Sequence, residues 1–175
     1  MTDGIVFYRS KYGSAEKYAR WLAEATGFPC QDVKGAKAGQ LAGAGTVALC
    51  GGVYASGIAG LGFLKKNAQA LAGKKVLVLA VGASPYDEKA LAQLRDHNFK
   101  NGLQSAALFY ARGAWDESAM GFGDRMLCKM LQKAVGKQDP ATLEPWAQAL
   151  LAAVGQKCDW TDRKYLAPLL GLLQP

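Results

Sequence analysis

Continuous apolar runs alternate with stretches of helical periodicity along most of this chain. Four runs read as buried strands: Gly4–Tyr8, Thr46–Gly52, Lys74–Gly82 and Ser105–Gly113. Pro29–Lys34 reads as a further short strand. Between them, Tyr18, Ala19, Leu22, Ala23 and Thr26 recur at three- and four-residue spacings, which makes one helix face. The pattern places Ser14 as the N-cap of that helix and Gly27 as its stop. Further helices are predicted over Leu61–Gly73, Tyr86–Phe99, Phe122–Gly136 and Asp139–Gly155, the last with Pro140 near its start. Strands without period-two alternation, each followed by a helix, imply an α/β fold with a parallel sheet covered on both faces. Right-handed crossovers then leave a few doubly wound orders.

Composition narrows the class. With 175 residues, half of them apolar, the chain suits one domain over residues 1–175. Its tail from residue 156, "QKCDWTDRKYLAPLLGLLQP", is apolar enough to dock on the body. No apolar stretch reaches the roughly 20 residues of a membrane span, and the N-terminus lacks a secretory pattern, so the expected location is cytoplasmic. Cys30, Cys50, Cys128 and Cys158 form no CxxC, which argues against zinc and a disulfide framework; Cys50 and Cys128 fall in apolar patterns and are expected to be buried. His97, the sole histidine, late in a predicted helix, reads as solvated or structural. A histidine-rich metal site and a Ser-His-Asp triad are thereby disfavoured.

The joint after the first strand carries the most chemistry. "RSKYGSAEK" packs Ser10, Gly13 and Ser14 between a strand end and a helix start. In a doubly wound sheet, ligands bind beyond the carboxyl ends of the strands. Free amides and the helix dipole favour an anion there, the two hydroxyls add donors, and Gly13 lets the backbone approach closely. The reading is a phosphate cradle; the bland alternative is an ordinary strand-to-helix turn. GxxxxGK[ST] and a GxGxxG directly after the strand are both absent.

"SKYGSA" (Ser10–Ala15) resembles the Ser/Thr-x-x-Gly-x-Thr/Ala phosphate loop of flavodoxin-like FMN proteins. "GGVYASGIAG" after the second long run resembles their first flavin-edge loop, and "VGASPYDE" stands where the second would be. "FGDRMLCKMLQKAVGK" resembles the late helix of flavodoxin-type protoporphyrinogen oxidases and the flavodoxin-domain proteins grouped with them. The resemblance implies a five-stranded parallel sheet in the order 2-1-3-4-5. It also implies FMN, held by the Ser10 and Ser14 hydroxyls and the amides of Lys11, Tyr12, Gly13, Ser14 and Ala15. Tyr54, Ala55, Ser56 and Gly57 would line one side of the ring, and Gly82, Ala83, Ser84 and Tyr86 the other, with Trp115 a looser cover. Gly57 is the expected site of a peptide flip toward the flavin, since glycine reaches positive φ without strain.

The function so implied is electron transfer to or from a redox partner protein or a quinone. One alternative is quinone-linked oxidation of protoporphyrinogen; another is a non-redox binding domain that has lost flavin. The net charge of +7 implies a less negative second-electron potential than in an acidic flavodoxin. Arg125, Lys129 and Lys133 recur every four residues, with Leu127, Met130, Leu131 and Ala134 toward the other side. That basic stripe reads as a solvated face, or as a dock for an acidic partner or an anionic inner-membrane surface. No nucleic acid is expected.

Overall fold

The computed structural model describes residues 3–173. β1 (Gly4–Arg9) runs into α1 (Ser14–Thr26), then β2 (Cys30–Asp32) and a short α2 (Gly39–Ala42). β3 (Thr46–Tyr54) folds back as β4 (Gly57–Ile58), followed by α3 (Leu61–Lys66). β5 (Lys75–Gly82), α4 (Glu88–Asn98) and β6 (Ala107–Arg112) complete the parallel part. β7 (Ala114–Asp116), α5 (Phe122–Val135), α6 (Pro145–Ala152), β8 (Lys157–Asp159) and α7 (Ala167–Gly171) follow.

Five parallel strands lie in the order β2-β1-β3-β5-β6, which is the expected 2-1-3-4-5 once the antiparallel β4 is set aside. Register alternates side chains between two cores. Phe7, Leu49 and Val78 pack on one face with Leu64 and Leu103. Val6, Cys50, Leu77 and Leu79 pack on the other with Tyr18 and Leu22 of α1 and with Leu166 and Leu169 from the tail. Burial on both faces is why these strands read as unbroken apolar runs.

Several elements differ from the sequence pattern. The helix predicted over Leu61–Gly73 breaks at Asn67, whose side chain donates to the Phe63 carbonyl at 2.8 Å; Ala68–Leu71 continues as a 3₁₀ turn. The helix predicted over Asp139–Gly155 is two pieces, a 3₁₀ turn at Pro140–Thr142 and then α6. Pro145 has no N–H to continue a helix and so stands at the first position of a new one. β7 and β8 form a small antiparallel ladder that no alternation in the sequence announces.

Candidate functional site

The sheet changes direction between β1 and β3: the chain leaves β1 toward β2 on one side and reaches β3 on the other. Loops at the carboxyl ends of two such strands diverge and leave a crevice. The loop after β1 forms one lip. Gly13 takes φ 100°, ψ −18°, and is itself the cap of α1. Ser14 is therefore the first helical residue, not the N-cap, and its side chain makes no capping bond. Ser10 Oγ accepts the Gly13 amide at 3.0 Å, which draws the loop into a hook. Among the described residues, the amides of Tyr12, Ser14, Ala15 and Glu16 have no partner within the chain. The last three belong to the first helical turn, where free N–H groups are intrinsic. A left-handed residue just before a helix makes successive N–H groups converge, a geometry that suits an anion. Residues sequence reasoning placed in a phosphate cradle thus stand together, with donors free.

Two amides of that set are engaged, Gly13 within the loop by Ser10 and Lys11 from across the crevice. Lys11 N–H donates to the Tyr54 hydroxyl at 3.0 Å, so the end of β3 is tied across the crevice to the loop after β1. The Tyr54 ring folds back over Gly52. Partial burial of the Tyr54 hydroxyl pushes its pKa up, so it stays a neutral phenol. Ala55, at φ 53°, and Ser56 make the two-residue turn between β3 and β4. Gly57 pairs with Tyr54 in β4 and lies outside the left-handed region, so the conformational strain of this loop sits at Ala55. Asn98, buried at the end of α4, donates from Nδ2 to the Ser56 carbonyl at 2.7 Å and to the Leu94 carbonyl at 2.9 Å, pinning the turn from beneath.

The third loop follows β5. Tyr110 Oη donates to the Ser84 carbonyl at 2.6 Å and Arg112 Nε to the Ala83 carbonyl at 2.9 Å, so two side chains of β6 fix its backbone. Burial drives the Tyr110 pKa strongly upward. Arg112 stacks 3.7 Å from the Trp160 ring centroid, which steadies the guanidinium. Gly82 lies in this fixed part. Tyr86 is 61% exposed and belongs to no contact that ties the loops together. Past β6, Gly113 passes directly under the cradle: a Cβ there would stand 3.2 Å from Ser14 Cβ. Trp115 follows in β7 opposite Cys158, with its Nε1 buried and unpartnered.

Asp124 is a residue that sequence spacing did not single out. It stands in the first turn of α5, and its Oδ2 accepts from both Lys11 Nζ and Tyr12 Oη. The Gly121 amide also donates to Tyr12 Oη, at 3.3 Å. The hydrogen bonds from Lys11 and then Tyr12 hold the Asp124 carboxyl below its ordinary pKa, and the same bond raises Lys11. The loop after β1 is thus fastened to a helix more than a hundred residues later. In sequence this aspartate looks like an ordinary first-turn acid, which the helix dipole favours anyway.

Helix α5 keeps Lys129 and Lys133 in solvent as expected, but its large apolar residues face out with them. Leu127, Met130 and Leu131, expected on the packed side, are 52%, 65% and 40% exposed. Arg125 is not part of a solvated stripe: its guanidinium donates to the carbonyls of Glu117, Ser118 and Met120. Cys128, expected to be buried, is only half-buried, 3.8 Å from the Met120 sulfur, because it shares the inner face with Asp124 and Gln132. Among the described residues no cluster of metal-ligating side chains occurs, and no helix is long and apolar enough to cross a membrane.

Comparison with known proteins gives one family and several solved structures of similar fold. The family described as Flavodoxin domain matches residues 5–142. No match is found among curated proteins. The Trp repressor binding protein from Bacillus subtilis superposes with a TM-score of 0.50 at 14% identity, over 63% of this chain and 84% of that one. A flavodoxin, WrbA-like protein from Agrobacterium tumefaciens gives 0.47 at 14% identity over 90% and 100%. A Streptococcus pneumoniae flavodoxin gives 0.42 at 22% identity over 62% and 80%.

Proposed function

This chain belongs to the flavodoxin-domain family, and from that premise we propose that it binds FMN in the crevice between β1 and β3 and passes electrons to or from a redox partner. The observation that carries the reading is the set of free, convergent amides around Gly13 at the switch point of the sheet. The residues present fit a phosphate monoester. Tyr12, Ser14 and Ala15 offer amides, and Ser14 offers a hydroxyl. The Ser10 hydroxyl, which accepts from Gly13, retains its own proton to donate. Asp124, the carboxylate at the rim, is paired with Lys11 and Tyr12, so its charge does not face the cradle uncompensated.

The flavin supplies the one- and two-electron chemistry; the chain binds, orients and tunes it. Tyr54 presents an aromatic face beside the cradle, and the Ala55–Ser56 turn and the Gly82–Ser84 loop supply fixed backbone on either side. Hydrogen bonds from amides to a charged phosphate are worth about 1.5–3 kcal/mol each. Nanomolar affinity needs about 12 kcal/mol, so the ring must contribute through burial as well. The basic character of the chain, +7 overall, favours the reduced anionic flavin and sets the second-electron potential above that of an acidic flavodoxin. The partner is a redox protein or a quinone.

The test is reconstitution. FMN added to flavin-free protein should give a yellow complex with quenched fluorescence. Riboflavin, which lacks the phosphate, should bind at least about tenfold more weakly if one charged hydrogen bond or more is lost. Ser14→Asp should repel the phosphate. Equal affinity for FMN and riboflavin, or an indifferent Ser14→Asp variant, would remove the cradle from the assignment.

A further inference from the structure

The outer face of α5 is apolar, although none of the described residues covers it. Successive residues of an α-helix are separated by about 100°. On that wheel Asp124, Cys128, Gln132 and Val135 share the inner side, where Val135 is buried and Gln132 Nε2 donates to Glu117 at 2.6 Å. Phe122, Met126, Met130, Leu127 and Leu131 spread over an outward arc of about 180°. Their exposures run from 81% at Phe122 through 65% at Met130 to 40% at Leu131. Five large apolar side chains on one outward helix face are not the scattered singles that any surface shows.

Charge identifies the occupant. Lys129 lies just outside the arc beside Phe122, Lys133 falls inside its edge between Phe122 and Met126, and Lys137 follows just beyond the helix end. The helix has one carboxylate, Asp124, and it points inward to Lys11 and Tyr12. Glu117 and Asp139, the next acids along the chain, lie outside the helix. An amphipathic helix with an apolar face and lysines along its edge suits the boundary of an anionic bilayer: the side chains enter the acyl region while the ammonium groups meet the lipid phosphates. An acidic protein would pair with the lysines but would also need an apolar patch shaped to Phe122 and Met130, whereas a bilayer offers its acyl chains to any such face. The geometry points to α5 as a docking face for an anionic lipid surface, with Phe122, Met126 and Met130 inserted and Lys129 and Lys133 on the headgroups. The inward anchors of α5 explain how it can present this face: Arg125 on three carbonyls and Asp124 on the loop after β1 hold the helix by polar contacts. The docked helix would begin beside the crevice, since Gly121 touches Tyr12.

This inference does not rest on flavin binding, and its test does not read flavin. The purified chain is sedimented with phosphatidylcholine vesicles, and with vesicles in which about 30% of the lipid is phosphatidylglycerol, at low and at physiological ionic strength. It should pellet with the anionic vesicles and stay in solution with the neutral ones. Lys129→Gln with Lys133→Gln should weaken the anionic binding about thirtyfold, roughly fivefold per lysine. Phe122→Ser with Met130→Ser should abolish it, while circular dichroism stays unchanged because both side chains are already in water. Phe122→Trp should be quenched by brominated acyl chains. Three results would overturn the inference. The first is no binding to anionic vesicles even at low salt. The second is binding that survives Phe122→Ser with Met130→Ser, which leaves bulk charge alone. The third is a dimer in solution that the same pair of substitutions dissolves, which assigns the face to a second copy.

Discussion

Gly13→Ala tests the cradle at the one point where the backbone must be left-handed. The native residue holds φ 100°, ψ −18°. A Cβ at this position would meet nothing within 4 Å, so no clash competes with the backbone term. For an L-residue the left-handed region costs about 1–2 kcal/mol. The loop then has two courses. If it keeps its shape, the flavin-free protein loses about 1–2 kcal/mol of stability, and FMN binds as before. If residue 13 relaxes to negative φ, stability is kept, but the amides of Tyr12, Ser14 and Ala15 no longer converge. Binding must then restore the strain, and FMN affinity falls by about fivefold to thirtyfold, the same energy expressed in Kd. The two losses together should sum to about 1–2 kcal/mol, however they are shared. Urea unfolding of the flavin-free protein gives the first, and fluorescence titration with FMN the second. Gly13→Asn, which tolerates the left-handed region better, should recover part of the loss. A Gly13→Ala protein as stable as the parent that also binds FMN equally well would refute the reasoning, since both courses would then be free of cost.

Asn98→Ala removes two donated hydrogen bonds, to Ser56 and Leu94, and should cost about 1–3 kcal/mol in urea unfolding with faster amide exchange in the β3–β4 turn; a loss within error would mean the Ser56 carbonyl needs no anchor. Asp124, held below the ordinary carboxylate pKa by Lys11 and then Tyr12, should titrate low by carboxyl NMR. A depressed native pKa means that the tie contributes at pH values above the unfolded-state value and is lost as pH falls through the native one. Acid should therefore free the loop after β1 from α5, and Lys11→Met should move the midpoint back up; an ordinary midpoint in the parent would contradict this. Cys50 is fully buried and its thiol is pushed far up by desolvation, so under mildly alkaline native conditions it should resist iodoacetamide while partly exposed Cys158 reacts; early labelling of Cys50 by peptide mapping would show that the sheet opens locally.

Much of the architecture was legible without coordinates, because it depends on short-range rules. A strand buried on both faces must be apolar throughout, so Gly4–Arg9, Thr46–Tyr54 and Lys75–Gly82 announce a parallel sheet by composition alone. The hook Ser10–Ser14 is equally local: glycine is the residue that accepts φ 100° at low cost, and free amides follow from the start of any helix. What spacing could not reveal is which side chains meet across the fold. Asp124 reaches Lys11 and Tyr12, Tyr54 reaches the Lys11 amide, and Asn98 reaches Ser56, over separations of 113, 112, 43 and 42 residues. Periodicity also divides α5 into a polar and an apolar side without saying which one turns inward. An amphipathic pattern defaults to apolar-in because burial normally dominates, but here three carbonyls waiting for Arg125 and two donors waiting for Asp124 decide the rotation. The sequence alone determined the doubly buried strands, the helices between them and the glycine turn before α1, since each follows from residues within one element. The rotation of α5, the tie across the crevice and the pinned turn at Ala55 were decided only by tertiary structure, because each depends on partners brought together by the fold as a whole.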